Sequence, residues 1–509
     1  MDQSLIPRRD KVALPAKLLL AGCLAIVAAY HFCRVFDLGH RSYGEGPILA
    51  LTERLESGPI SARWRTDPPY TLSCYGPAYY WASGGVARLG GWRHSIIPGR
   101  LVSLGAALFV ALLLAIAAGS RTKNAELGGL AALMFLVSTP VVEWLPFARV
   151  DMLALAGAAV AYLTIDNRRG AWLSALAVAA GSLAKPTVAL AAVPISLHLL
   201  ACRRYRTAIG FASLTTVLGG MAWALAQRAS HGYFLSAVLS GNRNPLSLWR
   251  GYRFGYEFLA SPLGVGACLT AVNLWIASRE KFRRSLFSLG FVVSLAISTV
   301  LVCKRGSDLN YYLEPAMLAS LAIAIDGLPR LYAANRRRSA AAAALLAILL
   351  TLPVLRELKA SPVAGRVAER VGWAERSESH RSVSRDHVAQ HHVSVGGYLA
   401  GQPEHVGILA DGHCVDLVLA AGRQPWVNDP YLYMLLTDNG TLDASELIER
   451  VRDGRIRWLF FHDSIEAHLR KVERQSNVWP PKVLECLSEC FESMPAPAGV
   501  FIYRYRLPQ

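Results

Sequence analysis

The sequence predicts a polytopic α-helical membrane protein that ends in a small α/β domain. Three observations carry this. Of 509 residues, 53% are hydrophobic and only 17% are charged, a balance that suits a chain immersed in lipid better than a soluble one. The apolar residues gather in about eleven runs between positions 14 and 355, many near the length that crosses a bilayer. The basic residues cluster at alternate ends of these runs.

The runs lie at roughly 14–33, 99–119, 126–143, 149–166, 170–184, 186–201, 208–227, 258–277, 285–303, 312–329 and 339–355. The first is long for a signal peptide and lacks a small-x-small cleavage site, so it reads as a retained helix. The stretches 126–166 and 170–201 split into hairpins, because basic residues flank both ends of each. Arg121 and Lys123 precede the first stretch, Arg168 and Arg169 separate the two, and Arg203, Arg204 and Arg206 follow the second. The same side receives Arg8, Arg9, Lys11 and Lys17, then Arg279, Lys281, Arg283 and Arg284, then Arg330, Arg336, Arg337 and Arg338. Basic clusters favour the cytoplasmic face. The N-terminus is therefore expected inside a cell (inner) membrane and the tail outside. The net charge of +17 is mainly this topology signal and not a nucleic-acid footprint.

The expected organisation is a membrane part at 1–355 with a long first outer loop at 34–98, a linker at 356–404, and an extracytoplasmic α/β domain at 405–509. The stretch Glu375–Ser382 reads as linker plus surface helix. Val406–Leu409, Arg457–Phe461 and Gly499–Tyr503 read as strands. Cys414–Ala421 reads as a helix ending at Gly422, and Asp443 with Glu446 reads as a capping box opening a helix through Val451. Alternating strands and helices suggest an α/β unit. With no GxGxxG and no nucleophile elbow, it is expected to support the site or recognise an acceptor, not to perform chemistry. The nine cysteines are scattered without a CxxC pair; a disulfide among Cys414, Cys486 and Cys490 stays open. His387, His391 and His392 read as a polar linker, not a metal site.

Charges beside a membrane are costly and are functional candidates by default. In this topology they meet on the outer side: Asp37 and Glu45 in the first loop, Arg149 and Asp151 between the third and fourth runs, Lys185 between the fifth and sixth, and Lys304, Arg305, Asp308, Asn310 and Tyr311 between the ninth and tenth. Each has a plainer reading. Arg149 and Asp151 fit a helix start, Lys304 and Arg305 fit snorkelling side chains, and Tyr79, Tyr80 and Trp81 fit an interfacial aromatic belt. Together they suit one reaction. A lipid-phosphate sugar donor needs cations for its phosphate, and an acceptor hydroxyl needs a carboxylate base.

The motifs Asp37…Tyr43-Gly44-Glu45-Gly46, Tyr75-Gly76-Pro77-Ala78-Tyr79-Tyr80-Trp81, Arg149-Val150-Asp151, Leu183-Ala184-Lys185-Pro186, Gly241-Asn242-Arg243-Asn244-Pro245 and Asn310-Tyr311-Tyr312-Leu313-Glu314 carry a resemblance over roughly 30–330. The chain resembles the GT-C-fold membrane glycosyltransferases, which include the dolichyl-phosphate-mannose protein mannosyltransferases and the lipid A aminoarabinose transferase. The resemblance implies a catalytic acid in the first outer loop, mapped to Glu45 with Asp37 as its partner. It implies phosphate and substrate binding by Arg149, Lys185, Lys304, Arg305, Asn310 and Tyr311. Asp151 would orient a cation or help bind a metal, and Tyr75, Tyr79 and Tyr80 would line a sugar or lipid groove. The aminoarabinose transferases carry a lysine where this chain has Gly76, which argues against that substrate. A divalent metal stays open. The expected activity is an inverting hexosyl or pentosyl transfer from a polyprenyl-phosphate sugar to a lipid, glycan or protein acceptor of the envelope. A transporter or flippase is the alternative, and neither involves nucleic acid.

Overall fold

A computed structural model describes residues 13–38, 42–56, 69–167, 169–329, 336–360, 383–473 and 478–506. The basic residues Arg8, Arg9, Lys11, Arg168 and Arg330 and the stretch Glu375–Ser382 lie outside them.

Every apolar run is largely helical. In chain order the helices of this part are α1 (Ala13–Val35), α2 (Glu45–Glu56), α3 (Ala78–Gly90), α4 (Ile97–Thr122), α5 (Ala125–Leu136), α6 (Thr139–Trp144), α7 (Asp151–Thr164), α8 (Gly170–Ser182) and α9 (Ala192–Ala201). They continue as α10 (Tyr205–Ala229), α11 (Tyr233–Ser240), α12 (Leu248–Leu259), α13 (Pro262–Ala277), α14 (Arg279–Arg284), α15 (Leu286–Val302), α16 (Leu313–Ala322) and α17 (Arg336–Ala360). Among the described residues, 4 helices are long and apolar enough to cross a membrane, or up to 5 if the bent pair α12–α13 is one span. The sequence reading has about eleven. The other apolar helices are 10–17 residues long.

Prolines account for several of the breaks. Pro140 sits in the first turn of α6 after α5 has stopped at Leu136, where its missing N–H costs nothing. Pro186 opens a 3₁₀ turn, Pro186–Ala191, ahead of α9. Pro262 opens α13, with the Ser261 hydroxyl accepting from the Gly264 N–H at 3.1 Å as an N-cap. There α12 and α13 meet at 83°. The sequence reading starts this span at 258 and does not foresee α12. That helix carries one apolar stripe inward through Phe254 and Phe258, while Trp249, Tyr252 and Tyr256 stand exposed on the other face.

The C-terminal residues form a second unit. It comprises α18 (Val383–Leu399), β1 (Gly407–Ala410), α19 (Val415–Ala420), α20 (Pro430–Asp438), α21 (Ser445–Arg452), β2 (Ile456–Phe461), α22 (Ile465–Glu473), α23 (Pro481–Cys490), β3 (Phe491–Met494) and β4 (Phe501–Tyr505). The sheet order is β1-β2-β4-β3, with β1 parallel to β2 and the other pairs antiparallel. Gly422 ends α19 in the left-handed region, at φ 71°. Asp443 accepts from the Ser445 N–H at 2.9 Å, and the N-cap is Ala444. All nine cysteines are free thiols, with the Cys486 and Cys490 sulfurs 4.0 Å apart.

The first loop joins the two units. The Asn428 side chain accepts from the Leu72 N–H at 2.6 Å and donates to the Leu72 carbonyl at 3.0 Å. It acts there as a backbone partner in a strand pair. Arg54 on α2 donates to the Pro425 carbonyl at 3.2 Å. One apolar cluster holds Ile48, Leu51, Tyr70, Tyr80, Leu409, Leu432 and Phe461 together.

Candidate functional site

Glu45 opens α2, with Ser42 three residues before it. This is the S-x-x-E pattern, and half of the capping box forms: the Ser42 N–H donates to Glu45 Oε2 at 3.0 Å. The rest of the carboxylate is occupied too. Arg100 donates to Oε1 from Nε at 2.7 Å and to Oε2 from Nη2 at 2.8 Å. The Ala148 N–H donates to Oε1 at 2.7 Å. Glu45 is 1% exposed and Arg100 0%. The expectation of a base ready to meet substrate therefore does not fit this carboxylate as it stands. Its oxygens are taken up by four donors.

Arg100 reaches further. Its Nη1 donates to the Val35 carbonyl at 3.2 Å and to the Asp37 carbonyl at 2.8 Å. Glu45 thus holds Arg100, and Arg100 holds the backbone that carries Asp37. Asp37 itself is half-buried at the end of α1.

Arg149 lies across the same loop. Its Nη2 donates to Ser42 Oγ at 2.7 Å, and its guanidinium stands 5.3 Å from the centre of the Trp144 ring. A Cβ at Gly44 would come within 2.1 Å of Arg149 Nη1. The glycine of the Tyr-Gly-Glu motif is therefore where the cation rests.

Asp151, Lys185, Asn310 and Tyr311 form a second group. Lys185 Nζ donates to Asp151 Oδ1 at 2.6 Å, Asn310 Nδ2 donates to the same oxygen at 2.9 Å, and Lys185 Nζ lies 4.3 Å from the centre of the Tyr311 ring. Lys185 is 7% exposed and Asp151 6%. Lys185 is thus committed to an acid and a ring, which limits it as a phosphate holder. Tyr75 sits within electrostatic reach of Asp151, Arg149 and Tyr311, between the two groups.

Lys304 and Arg305 lie on a third element, a turn stitched to the 241–247 loop. Lys304 bridges Leu246, the Arg305 N–H donates to the Pro245 carbonyl at 2.9 Å, and Asn244 Nδ2 donates to the Arg305 carbonyl at 2.8 Å. Tyr79 and Tyr80 depart from expectation. They do not line a groove. Tyr79 donates to the Gly99 carbonyl at 2.7 Å, Tyr80 pairs with Ser73 Oγ at 2.9 Å, and both rings are buried. They fill the space between α3 and its neighbours; Trp81 alone of the three is exposed.

Gly76 is explained by contact. A Cβ there would fall 2.0 Å from the Leu183 carbonyl oxygen, and the Ala78 N–H donates to that oxygen at 3.2 Å. The turn bearing Lys185 fills the room a side chain would need.

The two largest openings near these residues differ in character. One, of about 960 Å³, has a polar end at Arg34, Ser42, Glu143 and Asp308 and an apolar wall that includes Leu346 and Leu350 of α17. The other, of about 580 Å³, is lined by Thr52, Arg88, Trp92, Arg93 and His94. Glu45, Gly99 and Ala148 line the second, while Ser42 and Phe147 line the first. The Glu45–Arg100 pair is therefore part of the partition between them. Among the described residues, no group of three or more His, Cys, Asp or Glu side chains is placed to hold a metal ion.

Comparison with solved structures follows the same outline. ArnT from Cupriavidus metallidurans bound to undecaprenyl phosphate superposes with a TM-score of 0.59 at 11% identity, covering 96% of this chain and 97% of that one. The chain has the fold of the GT-C glycosyltransferases. The apo state of the same ArnT gives 0.55 at 14% identity, with coverage of 96% and 97%. The apo oligosaccharyltransferase of Archaeoglobus fulgidus gives 0.52 at 11%, covering 95% of this chain and 74% of that one. No family model matches the sequence, and no curated protein matches it. With this fold and these apolar helices the chain is an α-helical membrane protein.

Proposed function

We propose that the protein is an integral membrane glycosyltransferase that moves a sugar from a polyprenyl-phosphate donor to an acceptor of the cell envelope. The cavity of about 960 Å³ carries this reading. It is amphipathic: leucines of α17 make an apolar wall, and Arg34, Ser42 and Asp308 make a polar end. A lipid tail with a charged head needs such a pair of surroundings. The solved ArnT of the same fold holds undecaprenyl phosphate, in keeping with this chemistry.

In this reading Arg149 binds the donor phosphate from its place on Ser42. The acceptor hydroxyl approaches through the cavity lined by Trp92 and Arg93. Asp37 takes its proton as the oxygen bonds to the sugar C1. The C1–O bond to phosphate breaks, and its electron pair leaves on polyprenyl phosphate, already a stable anion. Attack opposite the leaving group inverts the anomeric centre. Glu45 acts as a positioning residue through Arg100. Asp151 and Lys185 brace each other behind Arg149, and the site lies on the extracytoplasmic side, under the C-terminal unit.

The test is transfer of labelled sugar from a synthetic polyprenyl-phosphate donor into envelope extract by the purified protein. Asp37→Asn is expected to lose about 10²–10⁴-fold in kcat with an unchanged melting temperature. A wild-type protein that converts no such donor, while loading vesicles with a labelled solute, would favour a transporter.

A further inference from the structure

A buried surplus of hydrogen-bond donors lies where the C-terminal unit meets the 303–307 turn. Among the described residues, the Tyr431 hydroxyl, Arg250 Nε and Arg149 Nε are buried without a hydrogen-bond partner. Leaving such groups unpaired is expensive, so each calls for a reason. These come from α20, from α12 and from the turn before α7. The first two converge on one turn.

Tyr431 is the second residue of α20. Its backbone N–H donates to the Tyr43 hydroxyl at 2.8 Å, which ties it to the Tyr-Gly-Glu loop. Its ring then reaches the turn at Gly306. That glycine has φ 82°, and a Cβ there would come within 2.1 Å of the Tyr431 hydroxyl. Arg250 crosses the same turn and donates to the Ser307 carbonyl. The charges of Arg250 and Arg305 both act on the phenol. Burial outweighs them and pushes it up to about 12, so it keeps its proton at neutral pH and can donate. Asn244 adds the opposite function. Its Nδ2 is used on the Arg305 carbonyl, while its Oδ1 is buried without a partner and can accept from a sugar hydroxyl. Asp429 lies within reach of Arg149 and offsets one cation. Arg250 and Arg305, with Asp438 as a nearby counter-charge to Arg305, supply cations for a phosphate group, which is a diester in the sugar-bearing donor and a monoester once the sugar has left.

We propose that the C-terminal unit is a working wall of the donor site, with the Tyr431 hydroxyl donating to a phosphoryl oxygen that Arg250 and Arg305 hold by charge. The inference rests on the polyprenyl-phosphate reading above and adds a substrate contact from a unit that carries none of the other groups assigned to the reaction.

The experiment measures binding of undecaprenyl phosphate to the full chain in detergent, with inorganic phosphate as a second probe. Tyr431→Phe keeps the ring and the backbone bond to Tyr43. It is expected to weaken undecaprenyl phosphate by about tenfold and to keep the wild-type melting temperature. Arg250→Gln is expected to weaken both probes. Equal affinity of Tyr431→Phe and wild type for undecaprenyl phosphate would overturn the role of Tyr431 and leave the function standing. A wild type that transfers sugar but binds neither probe at this turn, with Arg250→Gln unchanged, would overturn the wall as a whole. A wild type with no affinity for undecaprenyl phosphate would overturn both the inference and the reading beneath it.

Discussion

Glu45 and Arg100 form a doubly bonded ion pair inside the protein, at 2.7 and 2.8 Å, with both side chains closed off from solvent. The pair ties the first loop to α4 and, through the Asp37 carbonyl, to the end of α1. Removing one partner strands the other charge. Glu45→Gln and Arg100→Gln should each cost about 3–5 kcal/mol. Arg100→Lys should not rescue, because one ammonium cannot replace a fork that also serves two carbonyls. Thermal unfolding in detergent checks this. An unchanged melting temperature with abolished transfer would return Glu45 to the role of base.

Lys185 and Asp151 should be coupled in the same way. Lys185→Met leaves Asp151 buried beside Asn310 without its cation, and Asp151→Asn leaves Lys185 over the Tyr311 ring without its acid. The double substitution should be less damaging than the sum of the singles, with a coupling of about 1–3 kcal/mol. A double-mutant cycle on melting temperature measures it. Additive effects would mean that the pair contributes little.

Two glycines should separate activity from folding. At Gly44 the obstacle to a Cβ is the far end of the Arg149 side chain, which can move. Gly44→Ala should therefore fold and push Arg149 off Ser42, with a loss in kcat/KM larger than any loss in stability. At Gly76 the obstacle is the Leu183 backbone, which cannot move without the Lys185 turn. Gly76→Lys should fail to accumulate as folded protein. Size-exclusion profiles beside transfer rates would distinguish the two.

Two acids of the C-terminal unit make a pH prediction. Burial raises Asp411 and Asp429 each from 3.8 to about 6. Between those values the native state binds the proton more readily than the unfolded chain, so stability falls as pH rises through the window. The penalty is complete above about pH 6. Asp429 caps α20, accepting from the Leu432 N–H at 3.0 Å. Asparagine caps equally well. Asp429→Asn should melt higher than wild type at pH 7.5, and the gap should narrow as pH falls and close only below about pH 4. A lower melting temperature at pH 7.5 would mean that the Arg149 attraction outweighs burial.

The helices were legible because apolar runs and flanking arginines are local signals. The strands at 407–410, 456–461 and 501–505 fall within about two residues of the expected runs, for the same reason. The site was legible in composition but not in pairing. Asp151, Lys185, Asn310 and Tyr311 do come together, while Arg149 belongs to the neighbouring group on Ser42. Arg100 went unremarked inside a leucine-rich run, although a lone arginine near a membrane is itself a signal. Its partner lies 55 residues away, so no spacing rule joins them. Tyr431 and Asp429 belong to the other unit and meet the site only through folding. Tyr79 and Tyr80 read equally well as groove or as filling, and the hydrogen bonds of their hydroxyls decide for filling.

Short helices set a demand on the surrounding lipid. With α12 folded aside at 83°, α13 has 16 residues left for a crossing, roughly 24 Å of helix. The hydrocarbon core of a typical bilayer is about 30 Å thick. The lipid beside α13 must thin, or the protein must settle where membranes are already slender. Acyl-chain length in a reconstituted vesicle thereby becomes a handle on how this protein sits.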